Sequence, residues 1–396
     1  MATPTQPGQT WLDAGFETLC AHFGEQRLAH HGAATPPIYQ TSTFVYPDAA
    51  AFETRDDPQP RFYDYTRRSN PTTAILEAKL ARLERGQWAR AFASGMGAIT
   101  AAINACVAAD THVVAVSDCY LPTRRYLRDY LQRFNVSVTF VPGTDTSKFL
   151  AVLRENTRLL YLESPTSGRF DVLDVPALAG EARRRNIRTI FDNSWASPYF
   201  QNPLDLGCDL VVHSATKFIG GHSDVLGGIV VGRDEKLGRT ISQEAELLGA
   251  NPDPLAAWLL LRGLRTLALR MEQHQHSGLA VARLLSEHPA VRCVHHPGLE
   301  AHPQHALARR QLRGYSGLFS FELKDQSRAA THRFLDRLRV FSIGCSWGGH
   351  ESLALGGLVS GLFNDATEQP TWLIRLHVGL EATADLLADV RQALED

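Results

Sequence analysis

From about residue 72 the chain alternates between two hydrophobic spacings. Ile75, Leu76, Leu80 and Leu83 recur at helical intervals within Thr72–Glu84, which predicts an amphipathic helix. Short unbroken apolar runs follow at Val113–Val116, Leu159–Leu162, Thr189–Phe191, Leu210–Val212 and Gly228–Val231. Runs of this length bounded by polar residues predict strands buried on both faces. Ala98–Ala109, Tyr126–Phe134 and Val175–Arg185 lie between them and read as helices. The alternation predicts an α/β fold with a mainly parallel sheet in a large domain. A long helical region over Pro254–His288 leads to a smaller α/β C-terminal domain, with strands near Leu318–Leu323 and Trp372–Val378 and helices near Ala329–Arg337 and Ala382–Glu395. Residues 1–60 are rich in Pro, Thr and His and show little periodicity. They predict an extended arm that gains stability only by packing on something else, such as a neighbouring subunit. The expected division is an arm over 1–65, a large domain over 66–265 and a small domain over 266–396.

Composition narrows the function classes. The 396 residues are 44% hydrophobic and 21% charged, with a net charge of −2. That balance favours neither nucleic acid nor an anionic membrane as partner. The arginines are interspersed with acids, as in Glu181–Arg185, and read as a solvated helix face. Six cysteines are scattered without a Cys-x-x-Cys pair. Their scatter argues against a zinc ribbon or disulfide framework and fits a reducing cytoplasm. The Met1–Gln6 terminus lacks a basic segment followed by an apolar run, so no signal peptide is expected, and no apolar stretch approaches a membrane span.

The chemistry centres on His213-Ser214-Ala215-Thr216-Lys217-Phe218-Ile219-Gly220-Gly221. A lysine held at a strand end among small residues can be desolvated, which disfavours its ammonium form and exposes a nucleophilic amine. Such lysines condense with carbonyl cofactors, above all pyridoxal phosphate (PLP). Ser214 and Thr216 could then hydrogen-bond the cofactor's phosphate. Asp192 ends a neighbouring strand and is a candidate to keep the pyridine nitrogen protonated. Ala93-Ser94-Gly95-Met96-Gly97-Ala98 opens a helix, a place where free N–H groups bind anions. It lacks a P-loop lysine and the dinucleotide glycine spacing. Tyr120 follows the Val113–Val116 strand and could lie on the ring face. Arg375 lies on an apolar strand and needs an anionic partner, either a substrate carboxylate or a buried acid.

Other clusters read blandly. His295, His296, His302 and His305 lie in a Pro-containing segment without matching acids or thiols, which predicts a surface loop and no metal. His274 and His276, two apart on a helix, do not share a face. Ser94 is not in a nucleophile elbow, so a hydrolase is disfavoured.

Together these segments resemble the Cys/Met-metabolism family of PLP enzymes. The resemblance starts at Pro37–Phe44 and runs through Tyr65–Thr72, the Ser94–Gly97 turn and Glu163-Ser164-Pro165. It ends with Ser346–Leu353 and Arg375–Glu381. It implies a fold-type I PLP-dependent architecture and assigns roles at matching positions. Lys217 would carry the cofactor's aldehyde, Asp192 would face the pyridine nitrogen, and Tyr120 would stack on the ring. Gly95 and Met96 amides, with Ser214 and Thr216 hydroxyls, would hold the phosphate. Tyr65 and Arg67 would reach that phosphate from a neighbouring subunit, which implies a homotetramer built as a dimer of dimers. Arg375, Ser346 and Trp347 would form the substrate side, and Lys217, Tyr65 and Tyr120 would be catalytic. Thr166-Ser167-Gly168, Trp195 and Trp347 depart from the γ-acting pattern and resemble the bacterial cystathionine β-lyase branch. His350 departs from the Tyr expected there. The implied reaction is β-elimination of L-cystathionine to homocysteine, pyruvate and ammonia. Cystathionine γ-synthase, acylhomoserine sulfhydrylase and cystathionine γ-lyase are the alternatives.

Overall fold

The structure is a computed structural model of the chain and describes residues 13–57, 62–358 and 371–395. The first twelve residues of the predicted arm, with the Met1–Gln6 terminus, lie outside the described residues. Seven strands form the larger sheet: β1 (Trp88–Phe92), β2 (His112–Val116), β3 (Ser137–Val141), β4 (Thr157–Glu163), β5 (Arg188–Asp192), β6 (Leu210–Ser214) and β7 (Gly228–Gly232). Their order is β1-β7-β6-β5-β4-β2-β3. Only β7 runs against the rest. The apolar runs become strands because both faces are covered: Val113–Val116, Leu159–Leu162 and Val211–Val212 are fully buried. The functional end is the carboxyl edge, where β4, β5 and β6 finish at Glu163, Asp192 and Ser214.

The smaller sheet holds β8 (Val291–His295), β9 (Leu318–Leu323), β10 (Ser342–Ile343), β11 (Leu353–Leu358) and β12 (Trp372–His377), ordered β10-β11-β12-β9-β8. Phe319, Phe321 and Leu376 of this sheet share a core with Val281 and Leu285 of the helix Leu267–Glu287 and with Leu386 and Val390 of the helix Thr383–Leu394. No described helix is long and apolar enough to cross a membrane.

Several expectations need correction. The long helical region over Pro254–His288 consists of two helices, Pro254–Leu264 and Leu267–Glu287. Arg270 spans the junction, donating from Nη2 to the Gly263 carbonyl and from Nη1 to the Phe218 carbonyl, each at 2.7 Å. The helix expected over Ala98–Ala109 runs Gly95–Asn104 instead, because the Ser94 hydroxyl caps the Gly97 N–H at 3.1 Å. Tyr126–Phe134 is helical but consists of a π turn followed by a 3₁₀ turn. The arm is not wholly extended: the helix Phe16–His22 buries Leu19 and Cys20 against its own chain. The histidine segment is not a surface loop. Val291–His295 forms β8 against β9, and His296 and His302 are buried.

Candidate active site

Ten of the residues singled out from sequence meet in one cavity of about 430 Å³: Gly95, Met96, Tyr120, Asp192, Ser214, Thr216, Lys217, Ser346, Trp347 and Arg375. The large sheet supplies its floor, and the segments around 345–347 and β12 close it from the smaller sheet.

Lys217 lies three residues beyond β6. Its Nζ donates to Ser346 Oγ at 2.8 Å and lies 5.2 Å from the centroid of the Trp347 ring. Burial, followed by the charge of Arg375, lowers the Lys217 pKa from 10.5 to about 8. The Trp347 loop can approach this closely because residue 348 is glycine. Gly348 has φ +85°, and a Cβ there would lie 2.8 Å from the Phe218 nitrogen and 2.9 Å from the Lys217 Cα.

Asp192 is buried at the end of β5, paired in register with Glu163 of β4 and Val212 of β6. Its carboxylate accepts from the Ser194 N–H at 3.0 Å and the Tyr161 hydroxyl at 3.3 Å. Burial pushes its pKa up, against hydrogen bonds from Ser194 and the nearby His213. His213 is itself hydrogen-bonded to Glu84 at 2.6 Å, and Glu84 also accepts from Asn193 at 2.7 Å and Asn202 at 3.3 Å. Glu84, His213, Asn193 and Asn202 are all buried and form one linked polar network, with His213 as an electrostatic neighbour of Asp192.

Tyr120 stands at the opposite wall, held through its backbone. Its N–H donates to Glu163 Oε2 at 2.8 Å, and the Ser167 hydroxyl bonds the other Glu163 oxygen. Burial, then the Asp192 charge, pushes the Glu163 carboxyl well above its ordinary range. Burial also raises the Tyr120 phenol. Asp118 ties down the next turn, accepting from the Thr166 hydroxyl at 2.9 Å, the Gly168 N–H at 3.1 Å and the Arg169 N–H at 3.0 Å.

The far end of the cavity is an anion cradle. The helix Gly95–Asn104 points its N-terminus there, with Ser214 pressed against it. A Cβ on Gly95 would come 2.8 Å from Ser214 Oγ, so only glycine leaves this backbone open. Thr216 Oγ1 accepts from the Gly227 N–H at 3.0 Å. Arg375 Nη2 donates to the Cys345 carbonyl at 2.9 Å, and burial lowers its pKa to about 10. The donor set fits PLP: a helix N-terminus with hydroxyls for a phosphate, a buried carboxylate, an aromatic wall and a desolvated lysine.

Tyr65 and Arg67 are not brought to this cavity on their own chain. They line a second cleft with Gln40, Asn251 and Asp253. Sequence reasoning assigned no role to Glu163, Glu84, Asp118 or Tyr161. For Glu163 a signal existed, an acid closing an apolar strand beside that of Asp192. Glu84 caps a helix far from the other motifs and carries none.

Comparison with known proteins accords with this geometry. The chain is 39% identical to the L-methionine gamma-lyase of Pseudomonas deceptionensis, with 96% of this chain and 97% of that protein aligned. It is 40% identical to the cystathionine gamma-synthase of Mycobacterium bovis, over 96% and 97% of the two chains. The crystal structure of metB from Corynebacterium glutamicum superposes with a TM-score of 0.90 at 34% identity, covering 96% of this chain and 98% of that one. Residues 17–395 match the family described as Cys/Met metabolism PLP-dependent enzyme, and the chain belongs to that family.

Proposed function

We propose that the chain is a carbon–sulfur β-lyase that cleaves L-cystathionine to homocysteine, pyruvate and ammonia. One observation carries this reading. The segments that depart from the γ-acting pattern are far apart in sequence, yet Thr166, Ser167, Trp195 and Trp347 all line the cavity of Lys217. They are therefore candidates to choose the reaction, whereas Lys217 and Asp192 supply the cofactor chemistry that β- and γ-elimination share.

Bound PLP supplies an electron sink that makes the substrate Cα–H acidic. Lys217, with its lowered basicity, takes that proton and returns one to the departing sulfur. Asp192, buried and with His213 as an electrostatic neighbour, would hold a pyridine nitrogen in its protonated form. Tyr120 would cover the ring, and Ser346 orients the Lys217 amine. Arg375 binds the substrate α-carboxylate through charge-assisted hydrogen bonds. In the reaction the Cβ–S bond breaks, homocysteine leaves as the thiol, and water converts the remaining three-carbon fragment to pyruvate and ammonia. Tyr65 and Arg67 complete the phosphate site of a neighbouring subunit. The exposure of Ile38, Val45 and Tyr65 supports a partner on that face.

The γ-acting reading has the names of two similar proteins behind it, the L-methionine gamma-lyase and the cystathionine gamma-synthase. Incubation with L-cystathionine, assaying both keto acids, separates the two. Pyruvate without 2-oxobutyrate supports β-elimination; 2-oxobutyrate as the main product overturns it. Cystathionine made from an activated homoserine and cysteine would establish a synthase.

A further inference from the structure

The correction of the histidine segment exposes a second cluster. Cys293 and His295 are two apart on β8 and share one face of that strand. Glu322 of β9 pairs in register with Cys293. Cys293 Sγ lies 3.6 Å and Glu322 Oε1 2.9 Å from the same nitrogen, Nε2 of His295. The three donor atoms all lie within 4.8 Å of one another.

A single ring nitrogen has one proton or one lone pair and cannot serve both neighbours well. A shared cation can. Zn–S of about 2.3 Å and Zn–N of about 2.0–2.1 Å at a tetrahedral angle place sulfur and nitrogen about 3.6 Å apart. The Cys293–His295 edge already has this length. The His295–Glu322 edge must open to roughly 3.3 Å, a change of a few tenths of an ångström.

We propose that Cys293, His295 and Glu322 form a binding site for a thiophilic divalent cation, best matched by zinc, with water as the fourth ligand. Thiolate and imidazole donors select zinc over magnesium or calcium. On binding, the Cys293 thiol proton and the proton between His295 and Glu322 pass to solvent. Thiolate and carboxylate then neutralise the two positive charges. Asp171 adds a negative charge facing His295, while Arg292 lies 3.4 Å from the other Glu322 oxygen. His302 and Arg169 also face the cluster.

The test uses the full-length, PLP-loaded protein, stripped of metal by chelator. It is titrated with cobalt(II) for a thiolate charge-transfer band, and with zinc(II) against a chromophoric chelator. One ion per chain is expected, together with that band. Outer partners of metal ligands typically account for about 10–100-fold in affinity, so losing a ligand itself should weaken binding at least ~100-fold. Cys293→Ser and His295→Ala should each do so and abolish the band, while visible PLP absorbance and lyase turnover stay at the parent level and report an intact fold. Absence of stoichiometric zinc in the parent, or parent-like affinity in Cys293→Ser, would overturn the proposal.

Discussion

Replacing Lys217 by methionine should stabilise the cofactor-free protein while abolishing its chemistry. The Lys217 pKa falls from 10.5 to about 8, with burial the main cause. The unfolded chain therefore binds more protons than the folded one between pH 8 and pH 10.5, and stability rises with pH across that window. Below pH 8 the full penalty applies, about 3 kcal/mol at ~1.36 kcal/mol for each pH unit. Methionine removes this penalty and keeps an unbranched apolar stem. It forfeits the hydrogen bond to Ser346, worth about 1 kcal/mol, and the ammonium–indole contact with Trp347, worth roughly 0.5–1 kcal/mol. A net gain of about 1–2 kcal/mol remains at pH 7. Thermal denaturation of cofactor-free Lys217→Met and parent, side by side at pH 7 and near pH 10.5, measures it. The variant should melt a few degrees higher at pH 7, and the advantage should vanish or reverse at the higher pH. A variant no more stable than the parent at pH 7, or an advantage independent of pH, would refute the desolvation argument.

Other perturbations separate the roles of the cavity residues. Asp192→Ala should lower kcat by about 10²–10³-fold, because it removes a preorganised charge, and steady-state assay with saturating PLP checks this. Arg375→Ala should mainly raise KM, lowering kcat/KM at least about tenfold, since a hydrogen bond to a charged group contributes about 1.5–3 kcal/mol; an unchanged KM would place the carboxylate elsewhere. Glu84→Ala strands buried His213, Asn193 and Asn202 and should destabilise the protein by about 3–5 kcal/mol, read as a lowered denaturation midpoint.

What sequence made legible follows from periodicity and from chemistry carried within one segment. β2, β4, β5, β6 and β7 are short apolar runs, and their pattern is visible because both faces are buried. β1 and β3 escaped because their exposed positions break the run: Trp88-Ala89-Arg90 is only partly buried, and Ser137 is exposed. The junction at Arg265–Thr266 was not legible, because the buried positions Leu260, Leu261, Leu264, Leu267, Ala268 and Met271 keep a helical spacing across it. Lys217, Asp192 and the Gly95 turn were legible since each lies beside its own strand or helix end. The Cys293–His295–Glu322 cluster was not, because its acid comes from the next strand of an antiparallel pair and Cys293 was read only as one of six scattered thiols.

The same distinction separates the cofactor chemistry from the choice of reaction. Asp192 and Lys217, proposed to hold PLP, lie at or just past the carboxyl ends of the adjacent parallel strands β5 and β6, so the fold alone brings them together. Residues proposed to choose β-elimination are held by contacts that cross elements. Trp195 Nε1 donates to the Leu318 carbonyl of β9 at 2.9 Å, and Trp347 rests on Phe218 with ring centroids 5.4 Å apart. The Ser167 turn hangs from Asp118 and Glu163, and the Ser320 hydroxyl of β9 bonds the Gly168 carbonyl at 2.7 Å. Three walls of the cavity thus depend on how the smaller sheet docks against the larger one. A shift of β9 would move Trp195 and the 166–168 turn together while leaving Asp192 in place. Reaction choice in this chain should therefore be sensitive to substitution at Ser320, which does not line the cavity, and the ratio of pyruvate to 2-oxobutyrate is the quantity that would move.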